Sequence, residues 1–409
     1  MARILVGLSG GVDSSVAAAL LLEQGHEVVG AYMKNWINDE GIPGDCPWEE
    51  DLEDASSVAE ALGIEFRVVD LIDQYRERIV DYLLEGYQSG VTPNPDVLCN
   101  REMKFGVFLD YALSQGFESV ATGHYARRRE LDDGTAVILR GADPNKDQSY
   151  FLALMTQHQI SHALFPVGEM LKPQVREIAE RFALPTARKK DSQGICFIGN
   201  IKMSEFLRHH VPDSPGPIVD LSGRVVGRHR GLHLYTLGQR KGHGVASPRE
   251  GMAYVVVAKE PARNELVVGW DERTTPGLYA QGCTVTSLSC AGREFVPQTG
   301  KLSCSVQPRY RSQAESAHVE RCENRIKVHF NRPQRALTPG QVCAFYEGGK
   351  LLGGGVFTQG HQSRRVAKGT NDVGHLVFGQ VGLFHGASDL NTTSVGALDE
   401  DGRLDFVES

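Results

Sequence analysis

No run of about eighteen apolar residues occurs in this 409-residue chain, which excludes a membrane-spanning helix. The N-terminus goes straight into a strand-like run, so no secretory signal is expected. Cysteine is sparse: the eight residues include no C-x-x-C pair and no zinc-type spacing. This excludes a zinc ribbon or a disulfide framework and points to free thiols in a reducing compartment. A cytoplasmic location is therefore expected. Positive charge is also in short supply, with a formal net charge of −8. Taken over the whole chain, that deficit argues against a nucleic-acid partner. Its location changes the argument, because residues 372–409 carry seven acidic side chains against Arg403 alone, leaving only −2 for residues 1–371. Local basic clusters then set the field of the body.

Hydrophobic content of 41% and charged content of 23% fit a soluble globular protein, and the length implies two or three domains. The most informative stretch lies at the start. Arg3-Ile-Leu-Val-Gly7 reads as a strand, Leu8-Ser-Gly-Gly-Val-Asp-Ser-Ser15 as a turn, and Val16 to Leu22 as a helix stopping at Gly25. A strand that turns through paired glycines into a helix leaves backbone N–H groups and the positive end of the helix dipole facing outward, which makes an anion site. Gly10 and Gly11 permit positive φ, while Ser9, Ser14 and Ser15 can offer hydroxyls to phosphate oxygens. The plain alternative is a turn capped by Asp13 or Ser14. No Gly-Lys-Ser/Thr ending is present, so this is not a Walker loop. The eight residues resemble instead the SGGxDS signature of the PP-loop ATP pyrophosphatases.

Further along, strands at Glu27–Met33 and Glu65–Leu71 alternate with helices over 49–62 and 72–89, which implies right-handed βαβ units and a parallel sheet. Ligands then sit at the carboxyl ends of strands, where the opening turn falls. In Thr92-Pro-Asn-Pro-Asp-Val-Leu-Cys99 the prolines predict an extended lead-in, Asp96 an N-cap, and Cys99 the third helical position. A thiol there has a lowered pKa; the other reading is a small buried hydrophobe. Glu118 to His124 reads as a strand entering a Thr-Gly-His turn, and 126–140 as a hairpin with Arg127, Arg128 and Arg129 on one arm. That arm is either a solvated face or a phosphate holder. Lys146 to Leu152 introduces a helix, and another covers 172–183. Cys196 follows Arg188-Lys-Lys190 on a polar segment, Ser192-Gln-Gly194, and reads either as a reactive loop thiol or as one buried between Ile195 and Phe197.

From about residue 215, short strands separated by Gly and Pro replace helical periodicity, among them Gly227–Tyr235, Tyr254–Ala258, Glu265–Gly269, Cys283–Thr286, Lys301–Val306, Arg325–Phe330 and Gln341–Tyr346. Such strands indicate small sandwiches or barrels. The expected plan is an α/β domain with a parallel sheet over 1–210, a small β-rich domain over 211–275, a β-barrel over 276–360 and an acidic extension over 361–409. Cys46, Cys283, Cys290, Cys304, Cys322 and Cys343 read as structural.

Five motifs in one order (Ser9 to Ser14, Asp96 with Cys99, Thr122-Gly-His124, Asp147-Gln-Ser-Tyr150, and Ser192-Gln-Gly-Ile-Cys196) make residues 3–357 resemble the bacterial tRNA-specific 2-thiouridylases. The resemblance implies an adenine-nucleotide α-hydrolase-like fold and an enzyme that adenylates uridine 34 of tRNA before delivering sulfur to C2. It implies that Gly7, Leu8, Ser9, Gly10, Gly11, Val12, Asp13 and Ser14 hold ATP with Mg²⁺, and that Met33 and Gly123 bound the adenine. No protein metal site is expected besides. Cys196 would carry a persulfide received from a sulfur-relay protein or cysteine desulfurase, Cys99 would attack or resolve it, and Asp96 would join them in catalysis. Asn94, Pro95 and Asp96 would meet the target base; His124, Lys146, Asp147, Gln148, Arg309, Tyr310 and Gln341 would touch tRNA. A monomer is expected. Two other readings compete: a PP-loop ligase for small acceptors, which needs no thiol pair, and a non-catalytic RNA-binding protein that senses nucleotide.

Overall fold

A computed structural model of the chain describes residues 1–38, 40–42, 48–190, 201–246, 251–292, 294–323 and 325–361. Cys46, Cys196 and the acidic tail lie outside them. In chain order the strands are β1 (Arg3–Gly7), β2 (Glu27–Lys34), β3 (Glu65–Asp70), β4 (Ser119–Ala121), β5 (Ala126–Glu130), β6 (Ala136–Arg140) and β7 (Ala163–Leu164). They continue with β8 (Gly216–Asp220), β9 (Val225–His229), β10 (Tyr254–Glu260), β11 (Glu265–Trp270), β12 (Tyr279–Cys290), β13 (Lys301–Gln307), β14 (Glu315–Cys322), β15 (Arg325–Arg335), β16 (Val342–Glu347) and β17 (Lys350–His361).

The first sheet runs in the order β3-β2-β1-β4-β7, with every pair parallel. Strand β1 is central, and its Ile4, Leu5 and Val6 are fully buried, as the near-continuous apolar sequence of a two-sided parallel strand requires. The chain runs outward from β1 through β2 to β3, then returns to place β4 on the other side of β1. The crevice between the carboxyl ends of β1 and β4 is therefore the topological switch point, the usual ligand position in such sheets.

Two helices flank the crevice, α1 (Val12–Glu23) and α2 (Trp48–Leu62). Residues 72–88 are helical as expected, with a π turn at Arg76–Val80. Helix Pro95–Cys99 continues through a π segment, Asn100–Val107, into Phe108–Ser114, bending at Gly106. The helix expected from Lys146 to Leu152 is a single 3₁₀ turn over Ser149–Leu152.

The second sheet, β10-β11-β8-β9, forms the small middle unit. The strand expected over Gly227–Tyr235 is split there: β9 ends at His229, and a 3₁₀ turn at Leu232–Leu234 follows. In the third sheet β12, β15, β14, β13, β16 and β17 follow one another, and β17 pairs back to β12, which closes a six-stranded antiparallel barrel. Its interior is packed with Val285, Val306, Val328, Phe330, Phe345 and Phe357. The hairpin β5–β6 belongs in sequence to the first region, yet β6 is hydrogen-bonded to β17 through Lys350↔Leu139 and Leu351↔Ile138. One core cluster accordingly mixes Ile138, Tyr150 and Leu152 with Val342, Tyr346 and Leu351.

Candidate nucleotide and thiol site

The turn after β1 has the cradle geometry expected of it. Leu8 N–H still donates to Ala31 O on β2 (2.8 Å), so the chain leaves the sheet only at Ser9. Gly10 has φ +70°, and a Cβ there would lie 2.5 Å from Asp51 O of α2, so a side chain is excluded on both backbone and steric grounds. Gly11 is the N-cap of α1 in an extended conformation, without a side-chain cap. Neither Asp13 nor Ser14 caps the helix. The apolar, twelve-residue α1 therefore presents its amino end to the crevice.

The hydroxyls depart from expectation. Ser14 Oγ donates to Gly11 O (3.0 Å) and Ser15 Oγ to the same oxygen (2.8 Å), while Thr186 Oγ1 donates to Ser15 Oγ (3.0 Å). Ser14 and Ser15 are buried, so their hydroxyls shape the turn; Ser9 is the exposed one of the three. Asp13 is held by Lys172 Nζ at 2.7 and 2.9 Å and by Tyr125 O–H at 2.8 Å. Sequence reasoning missed Lys172, Tyr125 and Thr186, because each reaches the turn from more than a hundred residues away and sits in no motif. Lys189, in the basic run before Cys196, pairs with Asp51 (2.8 Å) and Asp54 (2.5 Å) of α2. Burial lowers its pKa, but these two carboxylates more than offset that and leave it raised.

Met33 and Gly123 border the same turn. A Cβ on Gly7 would touch Met33 Cε at 3.3 Å, and one on Gly123 would lie 2.6 Å from both Asp13 C and Ser14 N. His124 is 8% exposed, its Nδ1 is 2.7 Å from Thr122 Oγ1, and its ring packs edge-on against Phe165. Burial, then the nearby Lys104 charge, holds its pKa well below the usual range. Its surroundings are those of a hydrogen-bonded structural histidine.

The Cys99 segment differs from its expected register. Asn94 is the N-cap, its Oδ1 accepting from Val97 N–H (3.2 Å), and Pro95 occupies the first helical position. Asp96 is thus inside the first turn, and Cys99 is the fifth helical residue, past the amides that make the positive end. The positive end of the helix therefore does not lie at Cys99. Cys99 is 2% exposed. The helical stretch that continues from it reaches the ends of β1 and β4: Phe108 Cε1 would be 3.7 Å from a Cβ on Gly7, and the Phe105 ring is 6.2 Å from that of His124. Cys196, expected to carry a persulfide, lies outside the described residues, and so does its approach to Cys99.

Among the other singled-out residues, Asp147 pairs with Arg140 (2.7 Å), and Gln148 Oε1 accepts from Tyr125 N–H (2.9 Å). Arg309 donates to the carbonyls of Arg335 and Ala336, and Tyr310 packs on Phe151 with centroids 4.3 Å apart. Asp147 and Tyr310 nevertheless line one polar cleft of about 450 Å³ with Arg140, Asn145 and Arg311. Arg127 and Arg128 donate to the backbone oxygens of Arg140, Ile160 and Ser161, so two of the three hairpin arginines brace the fold. Cys322, expected to be structural, is exposed, whereas Cys283 and Cys343 are buried in the barrel.

Comparison with known proteins agrees with this architecture region by region. The family model for the tRNA methyl transferase HUP domain matches residues 2–200, that for the tRNA methyl transferase PRC-barrel domain residues 204–270, and that for the aminomethyltransferase beta-barrel domain residues 281–357. The chain is 66% identical over 358 residues to the tRNA-specific 2-thiouridylase MnmA of Akkermansia muciniphila, spanning 87% of this chain and 99% of that one. It is 46% identical to the Pseudomonas entomophila protein of the same name, over 87% of this chain and 94% of that one. It is 44% identical to the Streptococcus mutans protein of that name, over 90% and 98%. The chain belongs to the tRNA-specific 2-thiouridylase family.

Proposed function

We propose that this chain is a tRNA-uridine 2-sulfurtransferase that uses ATP as co-substrate at the Gly10–Gly11 cradle. The observation that carries the reading is that cradle, at the β1/β4 switch point, with the helical stretch that continues from Cys99 reaching Gly7 at the end of β1 through Phe108. The C2 oxygen of uridine 34 attacks the α-phosphorus, pyrophosphate leaves, and the oxygen becomes part of an AMP leaving group. The amino end of α1 and its backbone donors offset the charge that develops. The terminal sulfur of a Cys196 persulfide then bonds to C2 as AMP departs. The Cys99 thiolate attacks Cys196 Sγ, the sulfur–sulfur bond to the product breaks, and a Cys99–Cys196 disulfide remains for an external thiol to reduce.

Mg²⁺ supplies charge neutralisation to the phosphates. The ion would arrive with the nucleotide phosphates, and Asp13, whose oxygens Lys172 and Tyr125 hold, is the cradle's carboxylate. Asn94, Pro95 and Asp96 would meet the extruded base, which a single-stranded anticodon loop yields for a few kcal/mol. The sulfur donor is a persulfide-bearing relay protein or cysteine desulfurase, and the enzyme acts as a monomer in the cytoplasm.

The test is mass spectrometry of anticodon nucleosides after incubation with tRNA, ATP and a persulfide donor. 2-Thiouridine is expected with the wild-type chain and is lost in Cys196→Ser and in Cys99→Ser. Thiolation by Cys196→Ser from a protein persulfide alone would overturn the assignment.

A further inference from the structure

The segment that leads into Cys99 is not held by its own domain alone. Thr92 N–H donates to Pro339 O of the barrel (3.0 Å). Gln341 Nε2 donates to both Thr92 O (2.9 Å) and Pro93 O (3.1 Å), and Gln341 Oε1 accepts from Asn94 Nδ2 (3.5 Å). The Gln341 amide is therefore spent on three consecutive residues. The last of them, Asn94, is the N-cap of the Cys99 helix.

Gly340 fits the same contact. Its φ is +89°, and a Cβ there would collide with Val91 Cγ1 and lie 2.8 Å from Thr92 O. On the middle sheet's side, Thr236 Oγ1 is 3.4 Å from Thr92 Oγ1, and Lys259 Nζ donates to Gly90 O (3.3 Å).

We infer that Gln341 is a positioning residue: its side-chain amide, beside the Thr92–Pro339 backbone bond, holds the Thr92–Asn94 segment and thereby the placement of Asp96 and Cys99. The inference rests on the thiol chemistry proposed above, and it differs from a role for Gln341 as a tRNA contact. A contact residue adds affinity for tRNA. A positioning residue acts before any tRNA is bound, and displacement of a reacting group by about 1 Å costs on the order of 100-fold in rate.

Two readouts on Gln341→Ala and Gln341→Glu, in the full chain, separate these roles. The first is the rate at which Cys99 is alkylated by iodoacetamide without tRNA or ATP, followed by peptide mass spectrometry. It is expected to rise about tenfold or more, because the thiol is 2% exposed while the segment is held. The second is thiolation kinetics, where kcat is expected to fall about 10- to 100-fold with the KM for tRNA changed less than threefold. Gln341→Glu, which retains the shape but loses the donor, behaves like the alanine variant and controls for a packing loss. A raised KM with unchanged Cys99 alkylation in both variants would overturn the inference. Failure of the underlying reading has a different signature, full thiolation by Cys99→Ser, which the alkylation measurement does not touch.

Discussion

Lys259 is a single charge whose surroundings set a measurable pH dependence. It is 6% exposed on β10, and burial lowers its pKa from 10.5 to about 8. Below about pH 8 it is charged in folded and unfolded chains alike, and the folded state carries the desolvation cost, about 3 kcal/mol for a shift of that size. Between about 8 and 10.5 the unfolded chain still binds the proton that the folded chain has lost, so stability rises with pH. We therefore expect the unfolding free energy of the wild type, relative to Lys259→Met, to rise by up to about 3 kcal/mol across that window in urea titrations. A flat difference would show that the charge is not desolvated. Lys259 also explains why residue chemistry alone misleads: in sequence it is one of 43 basic residues, and only the fold reveals that it ends at Gly90 O.

Among the elements, the hairpin β5–β6 has the clearest consequence. Ile138 is fully buried where β6 meets β17, inside a cluster drawn from both the first region and the barrel. Ile138→Ala should destabilise by about 2–5 kcal/mol. Because the cluster is shared, circular dichroism and tryptophan fluorescence should lose signal in one coincident transition. Separate transitions would mean that the barrel and the parallel sheet unfold independently. The hairpin itself was legible, from Asp132-Asp133-Gly134 between two strand-like arms, but its partner was not, because the pairing spans more than two hundred residues. Elements with strong local signals were read closely, as β1, β2 and β3 show, whereas α1 begins at Val12, one turn before the expected Val16, because Val12 to Ser15 are already helical behind the Gly11 N-cap. Those missed had weak signals: β7 has two residues, and β14 buries only Ala317 and Val319 among polar neighbours. The Gly10–Gly11 turn was visible as a motif. The Asn94 cap and the Gln341 contact were not, since one is decided by a proline at the first helical position and the other by tertiary packing.

For the whole molecule, the relevant division is between what the relatives share and what they lack. The Akkermansia muciniphila relative is matched over 99% of its length by 358 residues of this chain, and the barrel family model stops at residue 357. A chain ending at His361 should therefore retain 2-thiouridine formation within about twofold, as measured by nucleoside mass spectrometry. A chain of residues 1–210 should be insoluble or molten, because it would expose the Ile138, Tyr150 and Leu152 surface and leave β6 without β17. Thiolation lost in the first truncation, or cooperative melting of the second, would contradict this view.

The attachment of β6 to β17 also bears on how the polypeptide is born. Leu351 is synthesised more than two hundred residues after its partner Ile138, a delay of roughly 10–40 s at ribosomal speeds of about 5–20 residues per second. Throughout that interval the nascent hairpin has one bare edge and an apolar face awaiting its cover. Translation pauses or chaperone supply in that window would govern the yield of folded protein without altering any residue of the crevice beside β1 and β4.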